Sequence, residues 1–312
     1  MAVNLKQIAG MNLNFAKGHR MCAGCGVAIF VRQLIMSAQL LDIDLVISNA
    51  TGCLEVTTSV YPESSWKYPW IHNAFENAAA TISGVERAYY ALKEKGKIYH
   101  NRKVKFVAIG GDGGSYDIGL QSLSGALERG HNILYIAYDN EAYMNTGYQR
   151  SSATPLFANT TTAPFGKVIP GKTQPRKDLF AIAVAHNIPY AATVSIYYWN
   201  DLISKVQKAL SIEGPTFLLS ITPCIPGWSM PTGDAVSLSK AAVETGYWPL
   251  VEYENGQYKW SPSNPKQLKP IEEFLSKQKR FAGILKNPEL LEKFRQDVIA
   301  NFEKYRKLCG VE

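Results

Sequence analysis

The chain has 312 residues, 46% of them hydrophobic and 19% charged, enough to bury one large core or two and too apolar for disorder. No run approaches the roughly 18 apolar residues of a membrane span, and the opening MAVNLKQIAGMNLNF lacks the charged start and apolar stretch of a secretory signal, so a cytoplasmic protein with no membrane partner is expected. The net charge of +7 (33 basic against 26 acidic residues) lies partly in the C-terminal third, where Lys and Arg are interspersed with Glu and Asp as on solvated helix faces. A nucleic-acid binder would carry a cleaner basic stripe, and attraction to an acidic protein is the better reading.

In chain order, KGHRMCAGCG (17–26) forms a loop with a CxxC before an apolar helix, Val27 to Leu40. A short strand, Leu45 to Ser48, leads into Asn49-Ala50-Thr51-Gly52-Cys53. YPESSWKYPWIHNAF, rich in Pro and aromatic residues, reads as an ordered loop. Ile71, Phe75, Ala78, Ile82, Val85, Tyr89 and Leu92 then step by three or four, as one buried helical stripe, until Gly96.

The centre of the chain is a βαβ unit. A strand, Val104 to Ile109, ends in Gly110-Gly111-Asp112-Gly113-Gly114. A helix follows with Ile118, Leu120, Leu123 and Leu127 as apolar members and Gly130 as its stop. A second strand, Ile133 to Tyr138, ends in Asp139-Asn140-Glu141. Ligands of parallel α/β sheets sit where such strands end. Glycines let backbone N–H groups approach a diphosphate, and Asp112 and the side-chain oxygen of Asn140 are hard ligands suited to Mg²⁺.

Residues 145–177 show no periodicity, and a loop of that length is usually functional. A helix from Asp178, a candidate N-cap, to about His186 follows, then a strand (Tyr190 to Val194), a helix (Asp201 to Ile212) and a strand (Thr216 to Ile221) ending in Pro223-Cys224-Ile225-Pro226-Gly227-Trp228. From Trp248 the pattern changes to a hairpin around Glu254-Asn255-Gly256 and polar helices, the last with Leu291, Phe294, Val298, Phe302 and Tyr305 on one face. We therefore divide the chain into a domain over 1–247 and an arm over 248–312 that packs on the core or on a partner subunit. The fold class expected is α/β, three layers around a mainly parallel sheet.

Five cysteines, an odd number, without a signal peptide argue against a disulfide framework. Cys309 stands apart in the tail as a free thiol. CxxC is compatible with zinc, thioredoxin-like redox chemistry or an iron–sulfur ligand pair. Cys22, Cys25, Cys53 and Cys224 suit zinc or a [4Fe–4S] cluster equally by ligand count.

The GDG followed some thirty residues later by an Asn resembles the signature of thiamine diphosphate enzymes. KGHRMCAGCG, ATGCLE, WIHNAFENAAA, GGDGGSYDIGLQSLSGALERGHN, YDNEAYMNTGYQRS and AVETGYWPL together resemble the β subunits of pyruvate:ferredoxin oxidoreductases, within the larger 2-oxoacid:ferredoxin oxidoreductase family, over about residues 15–260. The resemblance implies a thiamine diphosphate-binding fold that also carries a proximal [4Fe–4S] cluster. It implies Mg²⁺ on Asp112, Asn140 and the Ala142 carbonyl, and cluster ligands Cys22, Cys25, Cys53 and Cys224. It places the cofactor against Thr51, Gly52, Cys53, Gly111, Asp112, Gly113, Gly114, Asn140, Ala142, Met144, Asn145 and Thr146, with Asn145 as the catalytic side chain near substrate.

The implied activity is oxidative decarboxylation of a 2-oxoacid, most simply pyruvate, with electrons passing singly to the cluster and on to ferredoxin, and coenzyme A taking the acyl group. Oxalate, 2-oxoisovalerate, 2-oxoglutarate and indolepyruvate enzymes share this architecture. Implied partners are a subunit supplying the pyrimidine domain, a γ subunit and a ferredoxin-like subunit. A non-oxidative thiamine lyase with structural zinc is disfavoured by the four separated cysteines, and a noncatalytic iron–sulfur scaffold by the intact GDG…DN pair.

Other residues carry two readings each. His19 points at the diphosphate or caps its loop. His72 reads as a satisfied structural histidine starting a buried helix. Glu55 is local structure rather than the carboxylate that activates the aminopyrimidine, which the resemblance assigns to another subunit. Thr160 to Pro164 contact a ligand or order the long loop.

Overall fold

A computed structural model of the chain describes residues 4–60 and 63–311, so Tyr61 and Pro62 of the aromatic loop lie outside the described residues. The strands are β1 (Ile43–Ala50), β2 (Trp70–Asn73), β3 (Lys103–Gly111), β4 (Ile133–Asp139), β5 (Tyr190–Ser195), β6 (Thr216–Ile221), β7 (Val251–Glu254) and β8 (Gln257–Trp260). They form one sheet in the order β2-β1-β3-β4-β6-β5-β7-β8, parallel through β5 and antiparallel for the last two. Every residue of β4 is buried, which is why this strand reads as a continuous apolar run rather than an alternating one.

Alternate residues of the central strands serve opposite faces. Phe106 and Ala108 join a core with helices Ala78–Glu94, Leu120–Glu128, Leu179–Val184 and Ala235–Glu244. Val107 and Ile109 join a second core with helices Gly26–Leu40 and Trp199–Ser211. The result is a three-layer α/β fold. Among the described residues no helix is long and apolar enough to cross a membrane.

Three local expectations are corrected. The helical stripe begins at Ala78; residues 70–73 are instead the parallel edge strand β2, paired with Ile47–Ala50. His72 is accordingly no buried helix residue: its side chain is 67% exposed on that edge. The helix after Gly114 is broken into Asp112–Tyr116 and Leu120–Glu128, because Asp117 leaves the helix to accept hydrogen bonds from Tyr143 Oη and the Ser152 amide. Ile118 at the break is exposed. Helix Ala235–Glu244 was not expected at all.

After Trp248 the chain returns to the core. Asn255 and Gly256 both take positive φ, the requirement of a two-residue type I′ hairpin, and β7 then pairs antiparallel to β5. Phe274, Phe281, Phe294, Val298 and Tyr305 share one apolar cluster with Phe106, Tyr135 and Phe217. Asp178, the N-cap of its helix as expected, also accepts from Lys304 Nζ and Tyr305 Oη and so ties helix Pro288–Leu308 to the domain.

Because β1, β3, β4 and β6 are parallel, the turns that follow them share one edge of the sheet. The strand order reverses between β1 and β3, and this edge collects Gly52-Cys53, Asp112, Asn140 and Cys224.

Candidate active site

A narrow cleft of about 20 Å³ opens at that edge, lined by Thr51, Gly52, Cys53, Gly111, Asp112, Gly113, Asn140, Ala142, Met144, Asn145 and Thr146, together with Phe75, Tyr138 and Tyr143. Gly114 lies behind the cleft, against Ala50 and the Phe75 carbonyl. Gly113 is needed for space: a Cβ there would come within 2.2 Å of the Tyr143 ring. That ring is fixed by its hydroxyl, which donates to Asp117 Oδ2 at 3.0 Å.

Three oxygens converge in the cleft. The carboxamide oxygen of Asn140 lies 2.9 Å from Asp112 Oδ1 and 3.0 Å from the Ala142 carbonyl, with no proton between them unless the amide is turned over. The other Asp112 oxygen is buried without a partner. Burial, and then the neighbouring Asp139, push the Asp112 carboxyl well above the usual carboxylate range. Such an oxygen cluster fits a hard cation, and with the amide turned over it is satisfied instead by two hydrogen bonds from Asn140. Mg²⁺–oxygen bonds of about 2.0–2.1 Å place adjacent octahedral ligands roughly 3 Å apart, the spacing found here.

A second cavity, about 200 Å³, adjoins the first. Cys22, Cys25, Cys53 and Cys224 all line it, although no three His, Cys, Asp or Glu side chains among the described residues gather closely as ligands of one ion. All five cysteines are free. Burial raises the Cys25 thiol and pushes Cys53 and Cys224 up to about 12, with the neighbouring cysteines adding to the effect. Local donors oppose it: the Gly227 amide donates to Cys224 Sγ at 3.4 Å, the amides of Val27 and Ala28 serve Cys25, and the Asn145 side chain serves Cys53. Cys53, Asn140, Met144 and Asn145 line both cavities and form their common wall.

Around the loop that follows β4 lies a charged network that the sequence did not reveal. Asp139 and Glu141, alternating with Asn140 and Ala142, have side chains with no exposure at all. Arg176 pairs with both, at 2.8 Å to Glu141 Oε1, and lies 4.7 Å over the Trp248 ring. Arg280 pairs with Glu141 Oε2, and the hydroxyls of Tyr116 and Tyr247 donate to Asp139 and Glu141 respectively. Burial alone would lower the Arg176 pKa, but Asp139, Tyr116, Tyr247 and Glu141 raise it on balance. Glu141 takes φ 71°, a left-handed conformation rare outside glycine, and this network holds it there. The acidic run after β4 was visible, but its arginine partners stand 35 and 139 positions downstream.

The remaining candidates settle as follows. His19 hydrogen-bonds Arg32 and accepts from the Met21 amide, which places it in its own loop rather than on the cleft wall. Glu55 bonds His72 Nδ1 at 3.0 Å and Ser59, and lines neither cavity. Thr160, Thr161 and Thr162 spend their hydroxyls on the long loop's own backbone.

Residues 50–219 match the family model described as thiamine pyrophosphate enzyme, C-terminal TPP binding domain. The chain is 53% identical over 296 residues to pyruvate synthase subunit PorB of Thermotoga maritima, covering 94% of this chain and 91% of that one. It is 55% identical over 267 residues to PorB of Methanocaldococcus jannaschii (86% and 88% covered), and 45% over 300 residues to ketoisovalerate oxidoreductase subunit VorB of Pyrococcus abyssi (96% and 94%). The chain belongs to the thiamine pyrophosphate enzymes, in the family of oxidoreductase subunits that contains PorB and VorB. The fold agrees with a solved 2-oxoglutarate:ferredoxin oxidoreductase of Magnetococcus marinus, at TM-score 0.58 and 15% identity over 88% of this chain and 92% of that one.

Proposed function

We propose that the chain is the thiamine- and cluster-bearing β subunit of a pyruvate:ferredoxin oxidoreductase, acting in the cytoplasm. The observation that carries this reading is the wall shared by the two cavities. A cleft with an oxygen cluster fit for a metal-bound diphosphate and a chamber lined by four thiols meet at Cys53, Asn140, Met144 and Asn145. A group that gives up electrons in one needs no long path to a group that accepts them in the other.

Asp112 Oδ1, Asn140 Oδ1 and the Ala142 carbonyl would hold Mg²⁺, and the backbone of Gly111 and Gly113, which line the cleft, would face the diphosphate. Thiamine diphosphate, when bound, supplies the carbon nucleophile that permits loss of CO₂ from a 2-oxoacid. Asn145, exposed at the mouth, presents an amide to the substrate carboxylate or a developing oxyanion. Cys22, Cys25, Cys53 and Cys224 would hold a [4Fe–4S] cluster, whose several-ångström core suits thiols spread around 200 Å³ better than a single ion does. The backbone N–H groups aimed at Cys25 and Cys224 would favour the charged, ligating form of sulfur.

The cleft encloses about 20 Å³, against some 300–1,000 Å³ for a typical ligand pocket, so most of the cofactor would be covered by another subunit, which also brings the activating carboxylate. Ferredoxin as acceptor and coenzyme A as acyl acceptor belong to the same reading. The identity to VorB supports a branched 2-oxoacid as a second reading.

A substrate panel on the natively purified complex, read by ferredoxin or viologen reduction with and without coenzyme A, tests both. Pyruvate turnover dependent on coenzyme A is expected. A strong preference for 2-oxoisovalerate would favour the second reading, and no reduction with any 2-oxoacid would sink the proposal. Iron and sulfide analysis should find about four of each per chain, by the composition of such clusters.

A further inference from the structure

The turn that carries Cys224 and the loop that carries Asn140 and Ala142 are joined by a closed ring of buried contacts. The Trp228 indole N–H donates to the Asn140 carbonyl at 2.9 Å. The Arg280 guanidinium lies 3.9 Å over the Trp228 ring and pairs with Glu141 Oε2 at 2.5 Å. Glu141 follows Asn140 directly and closes the ring. Trp228 is fully buried and Arg280 is 5% exposed, so none of these bonds competes with water. Gly227, beside Trp228, packs so closely that a Cβ there would meet Met144 Sδ at 2.1 Å, which brings the same turn against the common wall.

We infer that Trp228 and Arg280 are positioning residues that couple the thiamine site to the cluster site, so that occupancy of one alters the energetics of the other. The inference rests on the functional reading above. In the ring, the backbone of a proposed Mg²⁺ ligand is held by the side chain four residues beyond a proposed cluster ligand. Arg280 stiffens both ends at once, through the ring face and through Glu141. Cys53, on the common wall, offers a second route, so the part due to the brace is the difference between the native chain and a Trp228 variant.

The test uses the anaerobically purified complex, freed of Mg²⁺ and thiamine diphosphate by EDTA and gel filtration. The midpoint potential of the cluster is followed by EPR in a redox titration, with and without saturating Mg²⁺ and thiamine diphosphate. Site couplings are commonly about 5–150-fold, and a fivefold change moves a one-electron potential by about 40 mV at about 59 mV per tenfold. A shift of about 40 mV or more is expected in the native complex. It should fall to less than half in Trp228→Phe, which keeps an aromatic face but loses the donor, at equal iron content and with thiamine diphosphate still bound. Arg280→Lys, which keeps the charge and loses the planar stacking group, should fall between the two.

No shift in the native complex, or the full native shift in both variants, overturns the inference. If Trp228→Phe does not load iron, Arg280→Lys decides alone: a reduced shift supports the brace and a full one refutes it. A native complex that holds neither iron nor thiamine diphosphate would instead remove the functional reading beneath.

Discussion

The two cavities at the sheet edge are built by opposite means. The cleft draws most of its wall from one βαβ unit and the loop after it, residues 111–146, and presents backbone, glycines and hard oxygens. The thiol chamber takes its four cysteines from the loop before the first long helix, from the end of β1 and from the turn after β6, and presents soft side chains. A site made from contiguous chain is specified by local sequence. A site made from three distant turns depends on the parallel sheet delivering them to one edge, and the two should fail differently when disturbed.

The largest effect expected is complete. The isolated chain, reconstituted with iron, sulfide, Mg²⁺ and thiamine diphosphate, should show no viologen reduction with any 2-oxoacid, because its cleft of about 20 Å³ is too small to enclose a diphosphate cofactor without a second subunit. Steady turnover would mean that a carboxylate of this chain, Glu55 foremost, replaces the partner's.

Next, Asp112→Ala should raise the Mg²⁺ needed for thiamine diphosphate binding by more than about 100-fold, since disturbing an outer-shell partner alone can cost 10–100-fold. The iron content should stay normal. Its melting temperature without cofactor should not fall, because burial and Asp139 already disfavour the Asp112 charge. Unchanged cofactor content would break the assignment of the cleft.

The chamber should show the converse. Cys224→Ser should lose the cluster, read as lost absorbance near 400 nm and lost iron, while still binding thiamine diphosphate at saturating Mg²⁺. Cys309→Ser, in the C-terminal tail, should lose nothing. Stoichiometric zinc without iron in the native protein would contradict the cluster reading.

The smallest effect concerns neither site. Asp178→Asn should cost about 1.5–3 kcal/mol at pH 7, the range for hydrogen bonds to a charged group, measured by denaturant unfolding. Burial would raise the Asp178 pKa, but Lys304, the Ala181 amide and Tyr305 lower it on balance. With the folded pKa below the unfolded one near 3.9, this contribution is full above about pH 4 and is lost as pH falls through the lower folded value. The native chain and the Asn variant should therefore converge in stability in acid.

How much of this was legible follows from the same contrast. The glycines, Asp112, Asn140 and Ala142 lie within one local pattern whose chemistry can be read off directly. The CxxC was equally plain, and with Cys53 and Cys224 it makes four thiolates, but ligand count left zinc and iron–sulfur open and only the resemblance chose between them. Arg176 and Arg280 gave no signal, since nothing in a loop arginine or one near a polar helix announces a buried carboxylate 35 or 139 positions upstream. Ile71 and Phe75 misled for a different reason. Their spacing of four suits a helix, but the hydrogen bonds of residues 70–73 are taken by β1, and this short edge strand is open on both faces at Ile71 and His72, which leaves no alternation to detect.

One asymmetry among the four chamber thiols bears on how the protein ages in air. Cys22 is exposed, whereas Cys25, Cys53 and Cys224 are partly buried and hold their protons more tightly than a free thiol. Nucleophilic attack by sulfur needs both access and the deprotonated form. In the metal-free chain iodoacetamide should therefore modify Cys22 well before the other three, as peptide mass mapping would show. By the same reasoning, oxygen meets the chamber first at Cys22, so storage damage should begin at that corner and spread inward.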